Sequence, residues 1–206
     1  MNFEEYLKQE YGLNEPIYVD EIQFEDYSRS WIFMQMKKLV DSGIIKRFDT
    51  GIYYFPLKFS FGDSCPDPYK IVQKRFLSDG ENVYGYVSGL SLKNSAGLST
   101  QCPNLIEVTT NNERSRVRDI KIGFQRVRAR RARTTVTKEN SNALQFLDLM
   151  NIINPKFMDE TEQFMLKKYA KDSGVTQDQI KQYAGLYPAQ AMKNYIESGA
   201  MYELAQ

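Results

Sequence analysis

The sequence predicts an α+β protein, and three patterns along its 206 residues support this class. Within residues 1–60, short helical periodicities precede two strand-like segments. The middle of the chain sets a β-branched segment beside a run in which arginines alternate with apolar residues. Residues 156–206 read as amphipathic helices with recognisable caps. We therefore expect one domain over 1–60, an α/β domain over 68–155, and a C-terminal helical extension over 156–206 that packs on the α/β domain.

The composition is that of a globular protein, with 42% hydrophobic and 13% aromatic residues. No apolar run approaches the roughly 18 residues of a membrane helix, so we expect no membrane contact. Cys65 and Cys102 lie far apart and outside any CxxC pattern, which favours free thiols in a reducing cytoplasm. The chain has no histidine, the commonest general base and metal ligand. We expect a cytoplasmic protein that is not an enzyme and holds no cofactor or metal.

The near-neutral net charge of +1 hides a strong asymmetry along the chain. Residues 1–27 are acidic, with Lys8 as their only base, whereas residues 114–133 are basic, with Asp119 as their only acid. A concentrated basic stripe of this kind commonly marks a contact with nucleic acid.

Residues 1–60 have the element order of a winged helix-turn-helix. An amphipathic segment ends at Gly12, and "PIYVDEIQF" could form a short strand or a short helix. Ser28 is a suitable N-cap for the next helix, which should end at Gly43. The buried stripe of that helix should comprise Ile32, Met36, Leu39 and Val40. The segments "IIKRF" and "GIYYF" then read as a β-hairpin across "DTG".

In a winged helix, the third helix enters the major groove and the hairpin lies along the DNA backbone. The residues placed to contact double-stranded DNA are Ser28, Arg29, Ser30, Phe33, Met34, Lys37, Lys38, Lys46 and Arg47. Winged helices also serve as protein-docking modules, and the acidic first helix would repel phosphate. Both interpretations therefore stay open for this domain.

A Pro- and Gly-rich segment over 56–70 reads as the boundary after this domain. Beyond it, "NLIEVTTN" reads as a strand that ends in an Asn-Asn turn. Gly85, Gly89 and Gly97 match no phosphate-loop spacing, so we expect turns around one short helix packed on a sheet.

Three segments carry a family resemblance: "LVDSGIIKRFDTGIYYFP", "GLSTQCPNLIEVTTN" and "NALQFLDLMNII". With the basic hairpin between the last two, they resemble the AbiE-type antitoxins of type IV toxin–antitoxin (abortive infection) systems. The resemblance covers about residues 1–155, and Gly97–Pro103 is its most specific part. It implies a transcriptional repressor that binds its own promoter and counteracts a nucleotidyltransferase-like toxin. It implies no catalytic residue.

The basic segment predicts a strand over 124–130, with a turn or bulge at Gly123. Ile120 and Ile122 should share a face with Phe124. In the strand, Val127 and Ala129 should point to the core, whereas Phe124, Arg126, Arg128 and Arg130 should share the other face. The whole patch comprises Arg114, Arg116, Arg118, Lys121, Arg126, Arg128, Arg130, Arg131 and Arg133. Three partners stay open for it: nucleic acid, an acidic toxin surface, or solvent alone at a charged sheet edge.

The C-terminal extension predicts three helices, of which the second opens with a capping box at Thr176 and Gln179. We expect these helices to pack through Phe164, Met165, Tyr169, Ile180, Tyr183, Met192, Tyr195 and Ile196.

One enzymatic alternative is a metal-dependent nuclease-like domain that the winged helix would target to DNA. The acids available near strands are Glu107 and Asp119, with Lys121 beside them. A protein-docking module is the other alternative to a repressor.

Overall fold

The computed structural model describes residues 1–101 and 103–204 and shows a mixed α+β protein. The chain divides into two compact units. The N-terminal unit comprises Met1–Ile71 with Ile122–Phe124, and the C-terminal unit comprises Val72–Lys121 with Gln125–Gln206. Cys65 is an exposed free thiol, whereas Cys102, the other predicted thiol, lies outside the described residues.

The N-terminal unit combines two helices with short strands. Its elements are α1 (Phe3–Tyr11), β1 (Ile17–Tyr18), a 3-10 turn (Val19–Glu21), α2 (Arg29–Asp41), β2 (Lys46–Asp49), β3 (Ile52–Tyr54), β4 (Lys58–Phe59) and β5 (Gly62–Asp63). β1, β3 and β2 form an antiparallel sheet in that order, and β4 pairs with β5.

Helix α2 follows the predicted pattern at both ends and along its buried face. The Ser28 hydroxyl accepts a hydrogen bond from the Trp31 backbone N–H at 3.3 Å, which caps the first turn. Ile32 and Met36 are buried in the core of the unit. Gly43 adopts a φ of +71°, a left-handed conformation in which a glycine is favoured after a helix.

The segment predicted as a bare boundary over 56–70 contains the paired strands β4 and β5. Ser64 holds this pair from its end, because its hydroxyl accepts from the Leu57 N–H and its own N–H donates to the Leu57 carbonyl. These bonds give the Pro- and Gly-rich segment regular structure despite its composition.

The C-terminal unit places helices around a four-stranded sheet. After α3 (Pro68–Val72), which begins in the N-terminal unit, its elements are a π-helical turn (Gln73–Leu77), β6 (Gly85–Val87), α4 (Gly89–Ser95), β7 (Leu105–Thr110), β8 (Val117–Ile122), β9 (Gln125–Arg131), α5 (Ser141–Ile152), α6 (Glu160–Asp172), α7 (Gln177–Tyr183) and α8 (Ala189–Glu197). Single 3-10 turns cover Pro155–Phe157, Ala184–Leu186 and Ala200–Tyr202.

The strand order of this sheet is β6-β7-β9-β8. β6 runs antiparallel to β7, and β7 runs parallel to β9 with Glu107 opposite Arg128. Gly123, at a φ of +57°, and Phe124 form the two-residue connection between β8 and β9.

The predicted alternation along β9 is confirmed for its apolar face, where Val127 and Ala129 are fully buried. The prediction for Phe124 is wrong, because this residue lies in the turn before the strand and is 66% exposed. It shares neither the buried face of Ile122 nor the arginine face of β9.

The C-terminal helices join the same core as α4 and α5, with Leu147, Leu166, Ile180 and Tyr195 among its buried members. The predicted capping box at Thr176 and Gln179 is present. Phe164 and Ile196 were wrongly expected in this core, since they are 66% and 59% exposed. Each lies two positions, or about 200° of helix rotation, from a buried neighbour, Leu166 or Asn194.

Candidate nucleic-acid interface

The outward face of α2 carries polar, apolar and basic side chains together. Ser30, Phe33, Met34 and Lys37 are exposed and recur at the three- and four-residue spacing of one helix face, and Lys38 is exposed beside them. Phe33 and Met34 are 47% and 46% exposed. Among the residues that the structure describes, no carboxylate lies within ion-pair distance of Lys37 or Lys38. Both ammonium groups are therefore available to an anionic partner.

The predicted contacts at the start of α2 hold the local structure instead. Ser28 is the N-cap, and the Arg29 guanidinium donates to the Asp20 carboxylate at 3.0 Å and to the Asp20 carbonyl at 2.7 Å. The charge of Arg29 is thereby partly neutralised. This side chain ties the first turn of α2 to the 3-10 turn that precedes it.

The two predicted contacts on β2 also have partners. Lys46 pairs with the Asp63 carboxylate at 2.6 Å, and this hydrogen bond raises the pKa of Lys46 and lowers that of Asp63. Arg47 donates to the Asp49 carbonyl and to the Thr50 hydroxyl, both at 3.2 Å. Both side chains lie at the surface, with their donors shared between these partners and solvent.

The exposed face of β9 carries the three predicted arginines, but two of them have acidic partners. Arg128 donates two hydrogen bonds to Asp119 of β8, at 2.7 and 2.8 Å, and this pairing holds the pKa of Asp119 below its usual range. Arg130 donates to the Glu107 carboxylate at 3.1 Å. In the described part of the chain, Arg126 has no acid at ion-pair distance.

Glu107 is an anchor between β7 and the start of α4. Its side chain is only 7% exposed, and it accepts a hydrogen bond from the Leu90 N–H at 2.6 Å as well as the one from Arg130. Gly89 has a φ of +60°, and a Cβ at this position would collide with the Glu107 carboxylate. The glycine therefore lets the carboxylate reach the α4 backbone.

The nuclease alternative drew on Glu107, Asp119 and Lys121. The structure pairs each of the two acids with its own arginine, and Lys121 is exposed on β8. Over residues 1–101 and 103–204, no three His, Cys, Asp or Glu side chains gather as metal ligands would.

The remaining members of the basic patch surround the ends of β8 and β9. Arg118 pairs with the buried carboxylate of Glu113 at 2.8 Å, and the Arg131 guanidinium donates to the Arg114 carbonyl. Arg116 is exposed before β8. Arg133 donates to the Leu186 carbonyl at 3.2 Å, and its guanidinium lies 4.8 Å from the centroid of the Tyr187 ring.

A cluster around Asp148 was missed by the sequence reasoning. Asp148 of α5 accepts hydrogen bonds from the Tyr86 hydroxyl at 2.9 Å and from the Thr109 hydroxyl at 3.5 Å. Burial raises the pKa of Asp148, against the effects of these hydrogen bonds and of the guanidinium groups of Arg133 and Arg130. The sequence offers one sign of this cluster, because Asp148 is a lone acid within the otherwise uncharged segment "NALQFLDLMNII".

No protein-family model matches the chain, and no curated protein matches it either. The described helices include none that is both long enough and apolar enough to cross a membrane.

Proposed function

We propose that the chain is a transcriptional repressor that binds double-stranded DNA of its own promoter through a winged helix in the N-terminal unit. The observation that carries this proposal is the outward face of α2, where Lys37 and Lys38 are exposed and have no acidic partner among residues 1–101 and 103–204. The antiparallel pair of β2 and β3, which would be the wing, follows α2 directly and pairs with β1.

The side chains of this face suit the two parts of a DNA contact. Lysines bind phosphate as point charges, and each phosphate contact releases a counterion. Ser30 can hydrogen-bond a base edge, and Met34 offers an apolar contact to a thymine methyl group. Arg29 acts in this proposal as a positioning residue, because Asp20 and its carbonyl occupy the guanidinium.

The antitoxin role rests on the family resemblance of residues 1–155. It is supported by the separate core of the C-terminal unit, which could act on a nucleotidyltransferase-like toxin independently of DNA binding. Co-expression with any nucleotidyltransferase-like protein encoded beside this gene tests the role. The full chain should restore growth, and the double variant Lys37→Ala/Lys38→Ala should restore it equally. Failure of the wild-type chain to restore growth would contradict this part of the proposal.

The DNA-binding part is tested by fluorescence anisotropy on a promoter fragment and on a scrambled fragment. The double variant Lys37→Ala/Lys38→Ala should weaken binding to both fragments about tenfold at low salt, because non-specific contacts go to phosphate. Lys167→Ala/Lys168→Ala is the matched control, since these adjacent lysines are exposed on α6, a helix of the same 13-residue length. Equal weakening by the two double variants would contradict the assignment to α2.

A protein-docking function is the second candidate, and the exposure of Phe33, Met34 and Tyr27 favours it. Apolar side chains at a helix surface are typical of contacts with a protein partner. Under this alternative, Phe33→Gln/Met34→Gln would abolish capture of that partner, and the lysine double variant would leave DNA binding unchanged.

A further inference from the structure

A basic cavity lies in the C-terminal unit. Its volume is about 500 Å³, and Arg116, Arg130, Arg133, Thr109 and Asp148 contribute to its walls. A smaller cavity of about 190 Å³ shares Arg130, Arg133 and Asp148 with it and adds Ser88. Pockets for small molecules usually measure about 300–1,000 Å³, so the larger cavity fits one such ligand.

The three arginines keep most of their donors for a ligand. Each guanidinium has five N–H donors. Arg130 gives one to Glu107 and Arg133 gives one to the Leu186 carbonyl. The Tyr187 ring also contacts the Arg133 guanidinium and helps to hold this side chain in place. Arginines that are held in place but not saturated suit the oxygens of a phosphate group.

Ser88 supplies an independent sign of a ligand. The residue is only 2% exposed, and its Oγ has no hydrogen-bond partner among the described residues. A buried hydroxyl without a partner is costly and rare, and it calls for a specific explanation. Ser88 lines the smaller cavity, which shares Arg130 and Arg133 with the larger one, so a ligand oxygen bound there would complete its bonding.

Asp148 determines what the rest of the ligand must contain. A carboxylate beside a dianionic phosphate would be repelled, whereas a carboxylate that accepts a hydrogen bond from a ligand hydroxyl would be stabilised. One oxygen of Asp148 already accepts from Tyr86 and Thr109. The other oxygen is the one available for a hydroxyl.

We propose that the two cavities, which share Arg130, Arg133 and Asp148, together bind a small phosphate monoester that carries hydroxyl groups, of the chemical class of a ribose 5-phosphate. Arg130 and Arg133, which line both cavities, hold the phosphate; Arg116 contacts it from the larger cavity and Ser88 from the smaller one, and Asp148 accepts from a sugar hydroxyl. The same chemistry is found in a free nucleoside monophosphate and in the 5′-phosphorylated end of a nucleic acid strand. The proposal shares no residue with the α2 face and does not rest on promoter binding.

Isothermal titration of the full chain tests the site with ribose 5-phosphate, ribose, inorganic phosphate and uridine monophosphate. Ribose 5-phosphate should bind at least about tenfold more tightly than ribose or inorganic phosphate, which equals about 1.4 kcal/mol. No binding of any phosphorylated probe, or equal binding of ribose 5-phosphate and inorganic phosphate, would overturn the proposal.

A second titration distinguishes a free small molecule from a nucleic acid end as the source of the phosphate, with a 5′-phosphorylated oligonucleotide and the same oligonucleotide without its phosphate. If the 5′-phosphorylated oligonucleotide binds more tightly than both its unphosphorylated counterpart and ribose 5-phosphate, the ligand is a strand end held by the same site.

Variants separate this pocket from diffuse positive charge. Arg133→Gln and Arg116→Gln should each weaken ribose 5-phosphate at least about tenfold, the effect of one lost charge-assisted bond. Arg126→Gln, on the same strand as Arg130 but outside the cavity, should leave binding unchanged. Ser88→Ala should weaken binding several-fold while the unliganded protein melts no lower than wild type, because the hydroxyl bonds to no described residue. Equal weakening by Arg126→Gln and Arg116→Gln, or a lower melting temperature with unchanged binding for Ser88→Ala, would overturn the proposal.

Lys37→Ala/Lys38→Ala should leave ribose 5-phosphate binding unchanged. The proposal for this site and the proposal for promoter binding can therefore be refuted separately.

Discussion

Two pairs of basic side chains lie at the surface on regular elements, but their surroundings differ. One pair is Lys37 and Lys38 of α2, and the other is Arg128 and Arg130 of β9. The two lysines have no acid at ion-pair distance in the described chain. Each arginine faces a carboxylate from a neighbouring strand, Asp119 for Arg128 and Glu107 for Arg130. The basic charge of α2 is therefore available to phosphate, whereas much of that on β9 is already paired.

This difference shows why a local count of basic residues can mislead. The segment over 114–133 holds the densest positive charge in the chain, yet Arg128 and Arg130 are paired across strands, with Asp119 of β8 and Glu107 of β7. Glu107 stands opposite Arg128 in the register but pairs with Arg130, the diagonal neighbour. The partners follow from sheet register, which the charge pattern alone does not contain.

The largest expected effect on the free energy of unfolding comes from a substitution at Gly89, where α4 meets the Glu107 carboxylate. Gly89→Ala should lower the free energy of unfolding by about 3 kcal/mol, from left-handed backbone strain and from collision with the Glu107 carboxylate. Gly43→Ala, after α2, is the matched control, because Gly43 has a φ of +71° and open space around its Cα. It should cost only about 1–2 kcal/mol. Urea denaturation measures both, and equal costs would show that the anchor around Glu107 can relax.

A smaller effect compares two arginines on one strand face. Arg130→Met should cost about 2 kcal/mol of unfolding free energy, because it leaves the buried Glu107 carboxylate without its guanidinium. Arg126→Met should change stability by less than about 0.5 kcal/mol, as exposed substitutions usually do. Both are measured by urea denaturation. A cost for Arg126→Met as large as that for Arg130→Met would remove the distinction between paired and unpaired arginines.

The smallest expected effect concerns the pH dependence of the Asp119–Arg128 pair. Its hydrogen bonds hold the folded-state pKa of Asp119 below the ordinary value of 3.8. The stability that the pair contributes is therefore present above that value and is lost as pH falls through the folded-state pKa. Asp119→Asn should be slightly less stable than wild type at pH 7, and the difference should vanish under more acidic conditions. A difference independent of pH would show that the ion pair is not its source.

Much of the N-terminal unit follows from local sequence. Ser28, the Ile32–Met36 stripe and Gly43 specify α2 through capping, periodicity and left-handed backbone, which act over a few residues. The alternation of Val127 and Ala129 likewise predicts the buried face of β9. Phe124 was misplaced because the turn at Gly123 extends through Phe124 and β9 begins only at Gln125.

The site was harder to predict than the elements. Asp20, Asp63, Asp119 and Glu107 decide which cations are available, and each reaches its partner through tertiary structure. Ser88 and Asp148 lie on different elements and meet only in the folded unit. Only the lone acid in α5 offered a sequence signal, because burying a carboxylate needs a compensating partner.

The salt dependence of promoter binding tests the central claim, that Lys37 and Lys38 of α2 contribute more to the contact with DNA than Arg128 and Arg130 of β9, which face carboxylates. Lys37→Ala/Lys38→Ala should reduce the slope of log K against log salt by about 1.8, or about 0.9 for each phosphate contact. Arg128→Gln/Arg130→Gln, checked by circular dichroism to be folded, should reduce it by less than about 0.9. A larger reduction for the arginine pair than for the lysine pair would contradict the account.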